Sequence, residues 1–178
     1  MDDPLERAGL TDAAASVRAE WRADEEEWTR AAFDRWQHER SLLDVVRACM
    51  HRGDTVALHL AHATFTGLVC AVGDDLVGLA LPDGRIDVRA GDGTAIVVRV
   101  LEDARAGGTR GADATTFRAR LLELETGEQA VEVGCTAGSE VVIGRLQVGR
   151  DHVVVRDGDG SVTVVALAAV AWVRPAPD

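Results

Sequence analysis

Cys49, His51, His59 and His62 are the residues here whose types suit a metal, since thiolate and imidazole are the usual zinc donors. Their arrangement, Cys-x-His followed by His-x-x-His, matches no established zinc spacing, so no metal site is assigned. Asp157-Gly158-Asp159-Gly160 opens like a calcium loop, yet the twelfth position counted from Asp157 is Ala168, which has no oxygen to offer. It reads as a hairpin turn. There is no G-x-S-x-G nucleophile elbow, and the glycines around Gly107-Gly108 follow no phosphate-binding fingerprint. The carboxylates Asp74-Asp75 fall in a tight turn, where acids are solvated. Neither a catalytic residue nor a cofactor is expected, and the chain reads as a non-enzyme.

Residue types suited to binding are present instead. Val17, Trp21, Trp28, Ala32 and Trp36 recur at intervals that place them on one helical face, with the acidic run 24–27 facing elsewhere. Tryptophan concentrates at the centres of protein interfaces, so Trp21, Trp28 and Trp36 are candidate partner-binding residues. Thr11 is the expected N-cap of this helix. A second helix follows: Ser41-x-x-Asp44 resembles a capping box, and Gly53 ends LLDVVRACMHR.

From Gly53 the period changes to two. Val56, Leu58 and Leu60 alternate with Thr55, Ala57 and His59, which puts His59 on the solvent side. The next strand, 65–72, carries Gly67 at a bend. Val77, Leu79 and Leu81 lead into the turn Pro82-Asp83-Gly84. Ile86 and Val88 follow, then Gly91-Asp92-Gly93, and Ile96, Val98 and Val100 close a set of five strands.

Val56-x-Leu58, Phe65-x-Gly67 and Asp74-Asp75-Leu76-Val77-Gly78-Leu79 give this stretch a pattern that resembles the Sm-like family, with Asp74, Val77 and Leu79 at matching positions. The resemblance implies a five-stranded SH3-type barrel. In that family it also implies rings built by pairing the last two strands of neighbours, and single-stranded RNA at the pore loops. Gly78 stands where the base-contacting Asn belongs, and Asp92-Gly93 where Arg-Gly is usual. RNA binding, through Asp74, Arg85, Arg89, Arg145 and Arg150, is therefore the alternative function rather than the leading one.

The pattern returns. Thr116, Phe117, Leu121, Leu124 and Gly127 spell a short helix, although Phe117, Ala119 and Leu121 also alternate as a strand would. Strands follow at 130–134, 140–148, 152–156, 161–167 and 171–174. Gly144 answers Gly67, Asp159-Gly160 answers Asp83-Gly84, and Val162 and Val164 align with Ile86 and Val88. The expected fold is mainly β with N-terminal helices: two tandem small Sm-like, SH3-type five-stranded barrels preceded by a long amphipathic helix. The expected divisions are an N-terminal helix over 1–40, a first barrel with its leading helix over 41–100, a linker over 101–114, a second barrel over 115–174 and a tail over 175–178. The closing strands, 94–100 and 170–174, are the expected exposed edges, one for joining the copies and one for oligomerisation.

Composition bounds the partners. All 19 basic residues are Arg, against 30 acids, for a net charge of −11. The first 40 residues alone hold 11 acids and 6 Arg. Phosphate neutralisation needs clustered cations, so DNA is not expected. The longest nearly apolar run, 162–173, spans 12 residues, short of the roughly 20 of a membrane helix, and no membrane partner is expected. An acidic N-terminus without an apolar core and an odd cysteine count point to a reducing, cytoplasmic setting. The leading expectation is a scaffold or adaptor that self-associates or docks a protein partner. A small ligand held between the barrels is a third reading.

Overall fold

A computed structural model describes residues 4–91, 96–102 and 114–177. The centre of the turn expected at Gly91-Asp92-Gly93, most of the 101–114 linker and Gly107-Gly108 lie outside the described residues. The chain forms two compact units, Met1–Ser41 and Leu42–Asp178.

The first unit is one helix, α1 (Pro4–Glu39). It begins a full two turns before Thr11, which lies inside it and is not its cap. Proline suits a first helical position, where its missing N–H costs nothing and its φ is already helical. Near the C-terminal end the Phe33 and Trp36 rings lie 5.7 Å apart, and the Arg40 guanidinium sits 4.2 Å over Trp36.

Among the described residues the second unit holds α2 (Leu42–Arg52), α3 (Phe117–Thr126) and ten strands. The strands are β1 (Thr55–His59), β2 (Thr64–Val72), β3 (Leu76–Leu81), β4 (Gly84–Arg89), β5 (Val97–Glu102), β6 (Ala130–Cys135), β7 (Val141–Val148), β8 (His152–Arg156), β9 (Val162–Ala166) and β10 (Val170–Pro175). Local chemistry sets the helix ends. Gly53 takes φ +80° and its N–H donates to the Cys49 and Met50 carbonyls, while the Thr116 hydroxyl accepts from the Ala119 N–H. Residues 117–126 are thus helical, because capping and the Phe117, Leu121, Leu124 stripe outweigh the alternation.

All ten strands join one antiparallel sheet in the order β5-β1-β2-β3-β4-β10-β6-β7-β8-β9. The order of the first five recurs in the last five. Two closed barrels are not what the pairings form: β4 gives its outer edge to β10, so the halves continue into one open sheet. This also moves one expected edge. Strand β5 ends the sheet as anticipated, but β10 lies in its middle, and the other terminal strand is β9.

Matching the registers sets Val56, Gly67, Leu79 and Val88 of the first half against Val131, Gly144, Val155 and Val165 of the second. Gly67 and Gly144 play the same part, since a Cβ at either would overlap the carbonyl oxygen of the next strand, at Ala80 or Arg156. The expected alignment of Val162 and Val164 with Ile86 and Val88 is one residue out. The first hairpin turns on Pro82-Asp83 and the second on Gly158-Asp159-Gly160, a residue longer, so Thr163 and Val165 take the inward places. A one-residue slip exchanges the faces of a strand, and Val162 and Val164 are accordingly exposed.

Each half keeps its own core, and the two trade residues where they meet. Val46, Cys49, Val56, Leu58, Leu79 and Ile86 pack in the first, joined by Ala171 and Trp172 from β10. Phe117, Leu121, Val131, Val153 and Val173 pack in the second, joined by Leu76 from β3.

Candidate functional site: an internal seam and an exposed helix

The seam between the halves has a short backbone ladder, with Trp172 opposite Val88 and Val173 opposite Asp87. Side chains do the rest. Asp87 is fully buried, its carboxylate held by Arg85 at 2.7 Å from its own strand and by Arg120 at 2.7 Å from α3. Burial alone lowers the Arg120 pKa, but the hydrogen bond and charge of Asp87 outweigh it and hold the guanidinium above its ordinary value. A carboxylate out of water needs such partners, because the cost of desolvating it is several kcal/mol.

Further polar contacts cross the seam at its ends. Arg174 on β10, paired with Glu132 on β6 of its own half, reaches across at 3.1 Å to Asp83 in the β3–β4 turn. The Glu132 hydrogen bond raises the Arg174 pKa. The Arg89 guanidinium donates to the Leu167 carbonyl at 3.0 Å. The Phe117 N–H at the start of α3 donates to Asp75 Oδ1 at 2.7 Å, and the Asp74 N–H donates to the Thr115 carbonyl. A carboxylate at a helix N-terminus satisfies an orphan donor and meets the positive end of the dipole. Asp74-Asp75 thus forms a docking turn for the second half.

Trp172 is the apolar centre of the seam. Its ring meets Phe65 edge-on at 5.2 Å, and Gly134 leaves no room for a Cβ beneath it. A cavity of about 160 Å³ opens beside it, lined by Leu60, His62, Cys135, Glu140 and Trp172 among others. This is the gap between the halves that the sequence offered to a small ligand. Burial, then the nearby Glu140 charge, pushes the Cys135 thiol up.

The anticipated site residues are dispersed. Arg85 and Arg89 are committed to the seam. Arg145 is exposed and stands opposite Arg156 across β7 and β8, and Arg150 is exposed in the turn that Arg118 binds through backbone carbonyls. Asp74 is exposed in the docking turn. Among the described residues no three His, Cys, Asp or Glu side chains gather to hold a metal. Cys49 is buried in the first core, His51 and His62 are exposed, and His59 Nδ1 meets the Thr64 hydroxyl. His59 is half-buried rather than on the solvent side.

On α1, Trp21 and Trp28 are 75% and 78% exposed, and Val17, Phe33 and Trp36 are exposed with them. No helix among the described residues is long and apolar enough to cross a membrane. Sequence reasoning found α1 but not Asp87, Arg120, Glu132 or Trp172. The one available signal was Trp172, a lone Trp where the first half has Val97. Comparison with protein-family models, with curated proteins and with solved structures returned no match.

Proposed function

We propose that the chain is a non-enzymatic binding and assembly module, a scaffold or adaptor in which two degenerate Sm-like halves are joined edge to edge in one open sheet and the Trp-lined α1 docks a protein partner or a second copy. The observation that carries this is the exposure of Trp21, Trp28 and Trp36 along a single 36-residue helix. Leaving such large aromatic surface in water forgoes roughly 25 cal/mol per Å² of burial, which a partner recovers. The recurring strand order and the matched bends at Gly67 and Gly144 support the reading of two degenerate copies of one five-stranded unit. The non-enzymatic reading is supported by the employment of the buried carboxylates: Asp54, Asp87 and Glu132 are each held by an arginine of the framework. That Cys49, Cys70 and Cys135 form no disulfide suits a cytoplasmic setting.

The test is affinity capture from native lysate, with and without nuclease, comparing wild type with Trp21→Ala/Trp28→Ala. Loss of partners in the Trp variant alone is the expected result. Loss of all partners on nuclease treatment would overturn it in favour of the RNA alternative.

A further inference from the structure

The three tryptophans of α1 are not equivalent. Trp36 has the Phe33 ring beside it and the Arg40 guanidinium over its face. Among the described residues no ring and no cation packs on Trp21 or Trp28, and both stand exposed.

Residues three and four apart are neighbours on a helix surface. Asp24 and Glu25 are each three or four residues from Trp21 and again from Trp28, so both carboxylates lie between the two rings. The expected separation of the acidic run from the stripe therefore holds only for Glu26 and Glu27. Arg18 is the one basic residue in a neighbouring position, on the far side of Trp21. No ion pair among the described residues engages Asp24 or Glu25. We infer that this stripe takes a basic amphipathic helix of another protein, which seats a guanidinium or ammonium group between Trp21 and Trp28, against Asp24 and Glu25. The inference names the partner of the docking reading above and rests on it.

Shape and charge both select that occupant. From Val17 to Trp36 the stripe is narrow and about 28 Å long, which suits the anchor spacing of a second helix. A cation placed between the rings meets carboxylate charge and aromatic faces together. The chain makes the aromatic half of that contact for itself, where Arg40 covers Trp36.

A second copy fits less well. Two registers match both tryptophans with tryptophans: parallel in step, and antiparallel about the midpoint of Asp24 and Glu25. Each brings four carboxylates into one joint, and like charges brought together out of water are repulsive. Residues 41–178 hold 19 acids against 13 arginines, so the rest of a second copy supplies no cationic surplus either. Nucleic acid and anionic lipid would meet the same repulsion.

The test is anisotropy of dye-labelled synthetic peptides titrated with the full chain at physiological salt. The first probe is an amphipathic peptide about six turns long, with leucine on one face and arginine beside it. The second carries glutamate for each arginine, and the third scrambles the order of the first. The arginine peptide is expected to bind at least about tenfold more tightly than either control. Trp21→Ala/Trp28→Ala and Asp24→Asn/Glu25→Gln, each with unchanged circular dichroism, are expected to weaken it about tenfold or more. Equal binding of the arginine and scrambled peptides, or full affinity in Asp24→Asn/Glu25→Gln, would overturn the inference. Binding of the glutamate peptide that depends on Trp21 and Trp28 would also overturn it, while leaving the docking reading in place. Full affinity for the arginine peptide in the Trp variant would count against both. Sedimentation covers the remaining occupant: a wild type that assembles and a Trp variant at one chain mass would assign the stripe to a second copy and overturn the inference.

Discussion

The internal seam and the two outer edges of the sheet occupy corresponding registers but carry different chemistry. At the seam a buried carboxylate is clamped by two guanidinium groups, and Trp172 fills the first core. At the edges the corresponding positions are valines, exposed in the single chain. The seam forms once, within the chain, so a costly buried ion cluster is acceptable where it fixes register. Buried ion pairs are strong only when complete, and that separates the two regions.

The largest expected effect breaks the seam cluster. Asp87→Ala takes the buried carboxylate away from Arg85 and Arg120 and is expected to cost about 3–5 kcal/mol, read by denaturant unfolding. Replacing the whole cluster, Arg85→Val/Asp87→Val/Arg120→Val, copies the edges and is expected to be near neutral or stabilising on the same measurement. If the triple variant were as damaged as Asp87→Ala, the charges would be more than an alternative to the valines. Trp172→Val, which gives the seam the residue of the free edge, is expected to cost about 2–4 kcal/mol through the cavity it leaves beside Phe65 and Gly134. Gly134→Ala, which overfills the same place, is expected to lose about 1–3 kcal/mol.

Smaller effects sharpen the contrast. Asp75→Ala removes the acceptor at the start of α3 and should cost about 1 kcal/mol. Asp151→Ala, at the corresponding exposed place, should change single-chain stability by no more than about 0.5 kcal/mol. The smallest concerns the Cys135 thiol at the seam cavity. Its raised pKa predicts alkylation at pH 8 slower than that of a free peptide thiol, with a modest gain in Glu140→Gln, followed by mass spectrometry.

Elements specified within a few residues were legible in the sequence. The Thr116 cap and Gly127 stop bound α3, Gly53 ends α2, and the glycines at 67 and 144 mark bends where backbone crowds backbone. The seam was not legible, because Asp87 becomes a buried ion only when Arg120 arrives from α3. Taken along its own strand, it is an ordinary outward-facing acid. The phase of β9 was misjudged for a local reason: one extra residue in the Gly158-Asp159-Gly160 turn reverses which face Val162 and Val164 occupy. The edge assigned to β10 was misplaced because strand order depends on which neighbour claims β4, and alternation carries no information about that. The Trp stripe was legible as a face of α1, but its exposure was not.

Removing the aromatic face of α1 tests the docking reading most directly. In Trp21→Ala/Trp28→Ala/Trp36→Ala, which alters only exposed positions of that helix, affinity capture after nuclease treatment is expected to lose the protein partners that wild type retains, with circular dichroism unchanged. A folded variant that keeps every partner of wild type would contradict the account.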